Sequence, residues 1–158
     1  MRTFQPTPRL PLGGLALLFL FFFSGCGLIE SLERFQAKRT FKQAFRQAHW
    51  KEDPQALMDL YYLEGVRPED RTLLRITARK EVVLPLQSVA FSEPAAGTTI
   101  HYTYKGRVFG PTLPVEKQMT VQYSNPDYLK VTYLLGYMNN QFYLVTARPV
   151  ESVSVSDQ

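Results

Sequence analysis

A chain of 158 residues, 45% of them hydrophobic and 20% charged, has the size and composition of one folded domain, which excludes a disordered chain. The formal charge of +4 includes Arg2 and Arg9, close to the N-terminus. Without these two residues the basic excess is small and gives little attraction to nucleic acid, which we therefore exclude as a partner.

The N-terminus predicts a secretion signal. Arg2 and Arg9 are followed by an apolar run from Leu10 to Phe23, and then by the small residues Ser24 and Gly25. A basic start, a hydrophobic stretch of this length and small residues at its end are the three parts of a signal peptide. Because the positive charges precede the apolar run, we expect the rest of the chain to lie outside the cytoplasm.

The four residues Phe23-Ser24-Gly25-Cys26 resemble the bacterial lipobox, in which a cysteine follows an apolar residue and two small ones. The resemblance implies that diacylglycerol is attached to the thiol of Cys26, and that the signal peptide, residues 1–25, is cleaved between Gly25 and Cys26. It also implies a lipid anchor in the cell membrane or the outer membrane. Gly27, which is not the Asp of an inner-membrane retention signal, favours the periplasmic face of the outer membrane in a Gram-negative cell.

The cysteine count agrees with this interpretation. Cys26 is the only cysteine of the chain, so no internal disulfide can form, although the exported compartment permits one. An alternative is a single-pass anchor that is never cleaved. The uncharged stretch of residues 10–29 is about 30 Å long as a helix, which is enough to span a bilayer.

After the signal we expect a lipid anchor and stalk in residues 26–36, one domain in residues 37–149 and a polar tail in residues 150–158. Apolar residues three and four apart predict a first core helix from about Ala37 to Trp50. A second helix is predicted from Asp53, an N-cap followed by Pro54, to Gly65. A third is predicted from Pro68 to about Lys80, with Leu73, Leu74 and Ile76 or Thr77 facing inward.

The second half changes to the alternation of β-strands. Strands are predicted at residues 86–91, 98–105, 115–123, 128–137 and 141–148, whereas the glycines and prolines of residues 106–114 predict an irregular loop. Asn139-Asn140 predicts a hairpin turn. Short turns imply antiparallel neighbours, so the fold class is α+β, with two to three N-terminal helices packed on a curved antiparallel sheet of about four to five strands.

This order of elements resembles the nuclear transport factor two-like and cystatin-like α+β superfamily. The resemblance rests on the helices that end near residues 50–57, followed by a sheet that closes with Leu135-Gly136-Tyr137 and residues 141–145. It implies a sheet that curls into a cone, which is a pocket in some members and a filled core in many membrane-tethered ones. Such a likeness of fold assigns no function.

The sequence predicts no catalytic residue, no metal site and no cofactor. His101 has no carboxylate near it in sequence, and the two histidines of the chain are far apart. Tyrosines recur on the predicted strands, where packing is their common role. If the sheet curls, its inner face could bind a small molecule, and the candidate binding residues are His101, Tyr102, Tyr104 and Tyr123.

These observations predict a membrane-anchored envelope lipoprotein that acts as a noncatalytic binding or structural module, with other envelope proteins as partners. The alternative is a cone-shaped domain that binds a small molecule or acts as an enzyme. A third possibility is an assembly partner that offers residues 86–91 as a flat, unpaired edge strand.

Overall fold

A computed structural model of the chain describes residues 25–124 and 129–150, with side chains from residue 31 onward. The described residues form an α+β structure in which three helices come before the strands. They are α1 (Gly25–Trp50), α2 (Pro54–Met58) and α3 (Pro68–Glu81). The predicted signal peptide, the N-terminal part of the alternative anchor helix, residues 125–128 and residues 151–158 lie outside the described residues. Among those described, no helix is both long and apolar enough to cross a bilayer.

Seven strands follow the helices. They are β1 (Leu86–Ser92), β2 (Tyr102–Tyr104), β3 (Arg107–Pro111), β4 (Lys117–Tyr123), β5 (Lys130–Met138), β6 (Gln141–Leu144) and β7 (Ala147–Pro149). They form two antiparallel sheets, one in the order β1-β4-β5-β6 and a smaller one in the order β2-β3-β7. The α+β class predicted from the sequence is therefore confirmed.

The core lies between α1 and one face of the four-stranded sheet. Alternate residues of β4 point to this face, and Met119, Val121 and Tyr123 are fully buried. Phe41 and Phe45 of α1 pack against them from the helix side. The face is closed by close packing, which is the arrangement that excludes water from a protein interior.

The second helix is shorter than predicted. Asp53 is the N-cap, with its side chain accepting from the backbone N–H groups of Gln55 and Ala56, and Pro54 begins the helix as expected. The helix ends at Met58 because the next residues pair with β6. The N–H of Tyr62 donates to the carbonyl of Leu144 at 3.1 Å, and the N–H of Leu144 donates to the carbonyl of Leu60 at 2.7 Å. The backbone of residues 60–62 thus covers the outer edge of β6.

The prediction of a single sheet missed β3 and the separation of β7. Lys105 and Gly106 both have positive φ, at 49° and 73°, which is the geometry of a tight hairpin turn between β2 and β3. The predicted last strand, residues 141–148, divides at Thr146, which bonds across to Thr112 and so directs the chain into the smaller sheet. The other hairpin prediction is confirmed, since Asn139 and Asn140 link β5 to β6 with positive φ.

The third helix is where it was predicted, and of its predicted inward residues Leu74 packs against the core, but the others do not. Leu73 and Ile76 are exposed, and the buried residues of α3 are Ala78 and Glu81. Only the last turn of α3 is deeply buried, so the carboxylate of Glu81 enters the interior more deeply than the apolar residues of the helix middle.

Candidate functional site

A buried carboxylate joins the end of α3 to the sheet. Glu81 is 8% exposed, and its Oε1 accepts hydrogen bonds from the hydroxyls of Tyr123, at 2.6 Å, and of Tyr133. Tyr123 lies on β4 and Tyr133 on the neighbouring β5. Burial of an ion is costly unless strong donors replace its water, and the two phenols do so here.

His49, near the end of α1, is the fourth member of this group, which we call the Glu81 cluster (His49, Glu81, Tyr123 and Tyr133). Its Nδ1 donates to the backbone carbonyl of Phe45 at 3.0 Å, which fixes the plane of the ring. Its Nε2 then lies 3.7 Å from Oε1 of Glu81 and 3.4 Å from the hydroxyl of Tyr123. The cluster therefore links α1, α3, β4 and β5.

Proton affinities in the cluster follow from burial and hydrogen bonding. Burial acts to raise the pKa of the Glu81 carboxyl, but the imidazole of His49 and the two phenol donors outweigh it and hold that pKa below its usual range. Burial and the nearby carboxylate raise the pKa of both Tyr123 and Tyr133. Glu81 is thus an ionised acceptor, and the tyrosines are neutral donors.

A concavity of about 270 Å³ lies beside the cluster, with Glu81, Tyr123 and Tyr133 in its wall together with Tyr61 and Lys80. All buried side-chain polar atoms of the described residues have hydrogen-bond partners. The acceptor and the donors of the cluster are therefore hydrogen-bonded to one another, and the cluster holds the helices and the sheet together. In the described part of the chain, no three His, Cys, Asp or Glu side chains are placed to hold a metal ion.

The four candidate binding residues that the sequence predicted do not lie together in the structure. Tyr123 is fully buried in the four-stranded sheet, whereas Tyr102 and Tyr104 are about half exposed in the smaller sheet. His101 is exposed and directly precedes β2, with its ring against Gly110. Tyr102 stacks on Phe109 with ring centroids 4.9 Å apart. The structure thus places His101, Tyr102 and Tyr104 at the smaller sheet and Tyr123 in the four-stranded sheet.

A second concavity, of about 430 Å³, lies between the end of α1 and the start of β1. We call it the β1 groove, and it is lined by Arg46, His49, Trp50, Glu52 and residues 82–89. The indole of Trp50 is 84% exposed. No described element pairs with the edge of β1 that faces away from β4. The groove therefore combines an open strand edge with an exposed aromatic ring.

Sequence reasoning missed most of the Glu81 cluster. His49 lies near the end of the predicted first core helix, and Glu81 lies just beyond the end predicted for α3. No local signal marks Glu81 as buried, because a glutamate is rarely buried without a partner, and its partners come from other elements. What the sequence lacks is the register of β4 and β5, in which Met119 pairs with Tyr133, so that Tyr123, four residues farther along β4, lies on the same face of the sheet as Tyr133.

Comparison with known proteins gives no relative from which to transfer a function. No protein-family model matches the chain, and no curated protein sequence matches it significantly.

Proposed function

We propose that the protein is a lipid-anchored lipoprotein of a bacterial cell envelope that binds other envelope proteins and catalyses no reaction. The observation that carries the proposal is the lipobox-like segment Phe23-Ser24-Gly25-Cys26, whose last two residues begin the helix that leads into the folded domain. Two or three acyl chains on Cys26 make attachment to a membrane effectively permanent, because each buried methylene contributes about 0.8 kcal/mol.

The exposure of α1 supports a stalk between the anchor and the domain. Residues 31–36 are exposed except for the half-buried Arg34, and Ala37 is the first buried residue among the side chains described from residue 31 onward. Leu32 and Phe35 are each 59% exposed. Apolar side chains this close to Cys26 would be covered by the lipid headgroup region if the anchor is present.

The packing of the domain supports a noncatalytic role. The inner face of the four-stranded sheet is filled by side chains such as Met119, Leu135 and Leu144, each 0% exposed. Among the described residues, the concavity of about 270 Å³ at the Tyr123 end of this face has the mutually bonded groups of the Glu81 cluster in its wall. A cone-shaped ligand binder or enzyme would instead offer free polar groups there to its substrate.

The proposal is tested by labelling cells of the native host with radioactive palmitate. We expect label on the wild-type protein and none on Cys26→Ala. Gln36→Ala, an exposed change in the same helix, is the matched control and should keep the label. Label on Cys26→Ala, or none on the wild type, would contradict the proposal.

The mass of the purified protein separates the lipoprotein from the uncleaved single-pass alternative. A lipoprotein should begin at Cys26 and carry the added mass of acyl chains. An intact residue 1–25 segment with an unmodified thiol would favour the anchor helix instead.

A further inference from the structure

We propose that the β1 groove binds an extended, acidic segment of a partner protein, which adds as a strand to the free edge of β1. The inference rests on the proposed function, because it names the surface and the kind of partner of that binding module. Its first ground is the edge itself. Strand β1 pairs only with β4 among the described elements, so alternate N–H and C=O groups of β1 point away from the sheet.

The two outer edges of the four-stranded sheet are treated differently. The edge of β6 is covered by the backbone of residues 60–62, whereas no backbone segment among residues 25–124 and 129–150 covers the outer edge of β1. Strand β1 also has no charged residue, in the sequence Leu-Gln-Ser-Val-Ala-Phe-Ser. Exposed edges usually contain charges or prolines that prevent pairing, and an uncharged edge is open to an added strand. A register shift between Leu86 and Ser88 leaves residues 88–92 as the regular part of that edge.

The chemistry of the partner follows from α1, which runs beside β1. Lys38 lies over the ring of Phe91 at 5.9 Å, and Arg46 lines the β1 groove at the other end of the strand. Lys42 lies between them at a spacing of four residues, which places all three on one side of the helix. We call these residues the basic stripe (Lys38, Lys42 and Arg46). From Arg34 to Lys51 the sequence has six Lys and Arg and no Asp or Glu.

The basic stripe and a short added strand have matching lengths. Lys38 and Arg46 are about 12 Å apart along the helix axis. Three residues of an extended strand cover about 10 Å, so acidic side chains on one face of an added strand would meet the basic stripe. Apolar side chains would fit the groove against Trp50 and Val83, which are both exposed. Glu52 lies on the groove lining beside Trp50, where acidic side chains of the partner are not expected.

The same charges disfavour a second copy of the chain at this edge. Two copies joined through β1 would set their basic stripes against each other, and juxtaposed like charges oppose association. The main-chain edge also favours a peptide over an anionic lipid surface, because headgroups cannot continue a sheet.

The test uses the full-length protein, purified in detergent micelles, and the emission of Trp50, which is the only tryptophan. The probe is a short peptide in which aspartate alternates with valine. We expect the emission of Trp50 to shift to shorter wavelength as the peptide covers the ring, with saturable binding that weakens as salt rises. Two control peptides, one with lysine in place of aspartate and one with alternate prolines that remove N–H donors, should not bind.

Matched variants assign the binding to the basic stripe. Lys42→Glu and Arg46→Glu should each weaken binding of the aspartate peptide about fivefold, which is the size expected for exposed ion pairs. Arg75→Glu, an exposed change of the same kind on α3, should leave it unchanged.

Four outcomes would overturn the proposal: no binding of the aspartate peptide, equal binding of the proline peptide, a Trp50 shift produced only by micelles containing phosphatidylglycerol, or self-association that buries Trp50. Peptide binding in detergent does not depend on acylation. Loss of palmitate labelling with retained peptide binding would therefore contradict the lipid anchor alone, and the reverse result would contradict the groove alone.

Discussion

The hydroxyl of Tyr123 on β4 donates a hydrogen bond of 2.6 Å to the carboxylate of Glu81 at the end of α3, although 42 positions separate the two residues in the sequence. Both side chains are buried, and the bond is to an ionised acceptor, so its loss should be costly. We expect Tyr123→Phe, which keeps the ring and removes only the hydroxyl, to lower the free energy of unfolding by about 2 kcal/mol. Urea denaturation followed by circular dichroism measures this change.

The control for this variant is Tyr143→Phe, on the outer face of β6, where a change below about 0.5 kcal/mol is expected. Because Tyr133 donates to the same oxygen of Glu81, the double variant Tyr123→Phe/Tyr133→Phe should differ from the sum of the single changes. Strict additivity would show that the two hydroxyls act independently of a shared acceptor.

The lowered pKa of Glu81 predicts a loss of stability in acid. Burial opposes the charge of Glu81, but the surrounding donors lower its pKa from the ordinary value of 4.5. A carboxyl whose pKa is lower in the folded state stabilises the fold above pH 4.5, and this contribution disappears as the pH falls through the folded-state pKa. The free energy of unfolding should therefore decrease below pH 4.5 in the wild type.

Two variants separate the contribution of Glu81 from that of other carboxyls. Glu81→Gln should be less stable than the wild type at neutral pH and less sensitive to acid. Asp70 is bound by Arg67, which also lowers the pKa of its carboxyl, but Asp70 is only partly buried. Asp70→Asn should therefore reduce the acid-dependent loss of stability less than Glu81→Gln does. An unchanged acid profile in Glu81→Gln would mean that Glu81 is not charged in the folded protein.

At alkaline pH the tyrosines of the interior should make the free energy of unfolding fall as the pH rises, which is the opposite direction to the effect of Glu81. Burial and the charge of Glu81 raise the pKa of Tyr61 above its ordinary value of 10.0, and the pKa values of Tyr123 and Tyr133 are raised as well. Their neutral forms stabilise the fold fully below pH 10.0, and this stability declines as the unfolded chain begins to ionise above that pH. Ultraviolet absorbance of tyrosinate should show these residues titrating together with unfolding. Titration of all tyrosines before the circular dichroism changes would contradict this.

Features of the fold that are set by neighbouring residues could be predicted from the sequence, whereas features set by tertiary contacts could not. The N-cap Asp53, the start of α3 at Pro68 and the turn at Asn139 are determined by residues next to them, and all three were predicted. The end of α2 was not predicted correctly, because residues 60–62 pair with β6. This tertiary contact overrides the helical preference of the local sequence. Strand β3 was missed because Gly110 and Pro111 are typical of loops, although Pro111 is tolerated because it pairs on one side only, with Ala147 of β7.

The candidate sites were less predictable than the fold. Tyr123 was selected as a tyrosine on a strand, but its partners Glu81 and His49 come from two helices distant in sequence. The β1 groove depends on which edge of the sheet is left open, and strand order cannot be read from the strands themselves. The basic stripe, in contrast, is visible in the sequence as lysines and an arginine four residues apart.

Gly136 of β5 is predicted to tolerate no side chain. A Cβ at this position would lie 2.6 Å from Cβ of Leu113 and 2.9 Å from the carbonyl oxygen of Pro114, closer than real atoms approach. The loop before β4 cannot yield easily, since the N–H of Glu116 is bonded to the carbonyl of Leu135. Gly136→Ala should lower the free energy of unfolding by about 2 kcal/mol, as measured by thermal and urea denaturation. Thr132→Ala, an exposed change on the same strand, should have little effect, and equal stability of the two variants would contradict the predicted clash.

Arg34 is the half-buried residue of the exposed start of α1, and it ties that part of the helix to the sheet. Its guanidinium pairs with Glu116 and lies 4.6 Å from the centre of the Tyr137 ring. Because both members of the ion pair are partly exposed, Arg34→Ala should lower the global free energy of unfolding by about 1 kcal/mol or less. Its larger effect should be local: amide hydrogens of residues 31–36 should exchange about fivefold faster or more, while those of Phe41 and Phe45 stay protected. Glu33→Ala, an exposed change one residue away, should leave exchange unaltered, and equal exchange in both variants would mean that the start of α1 is held by the helix alone.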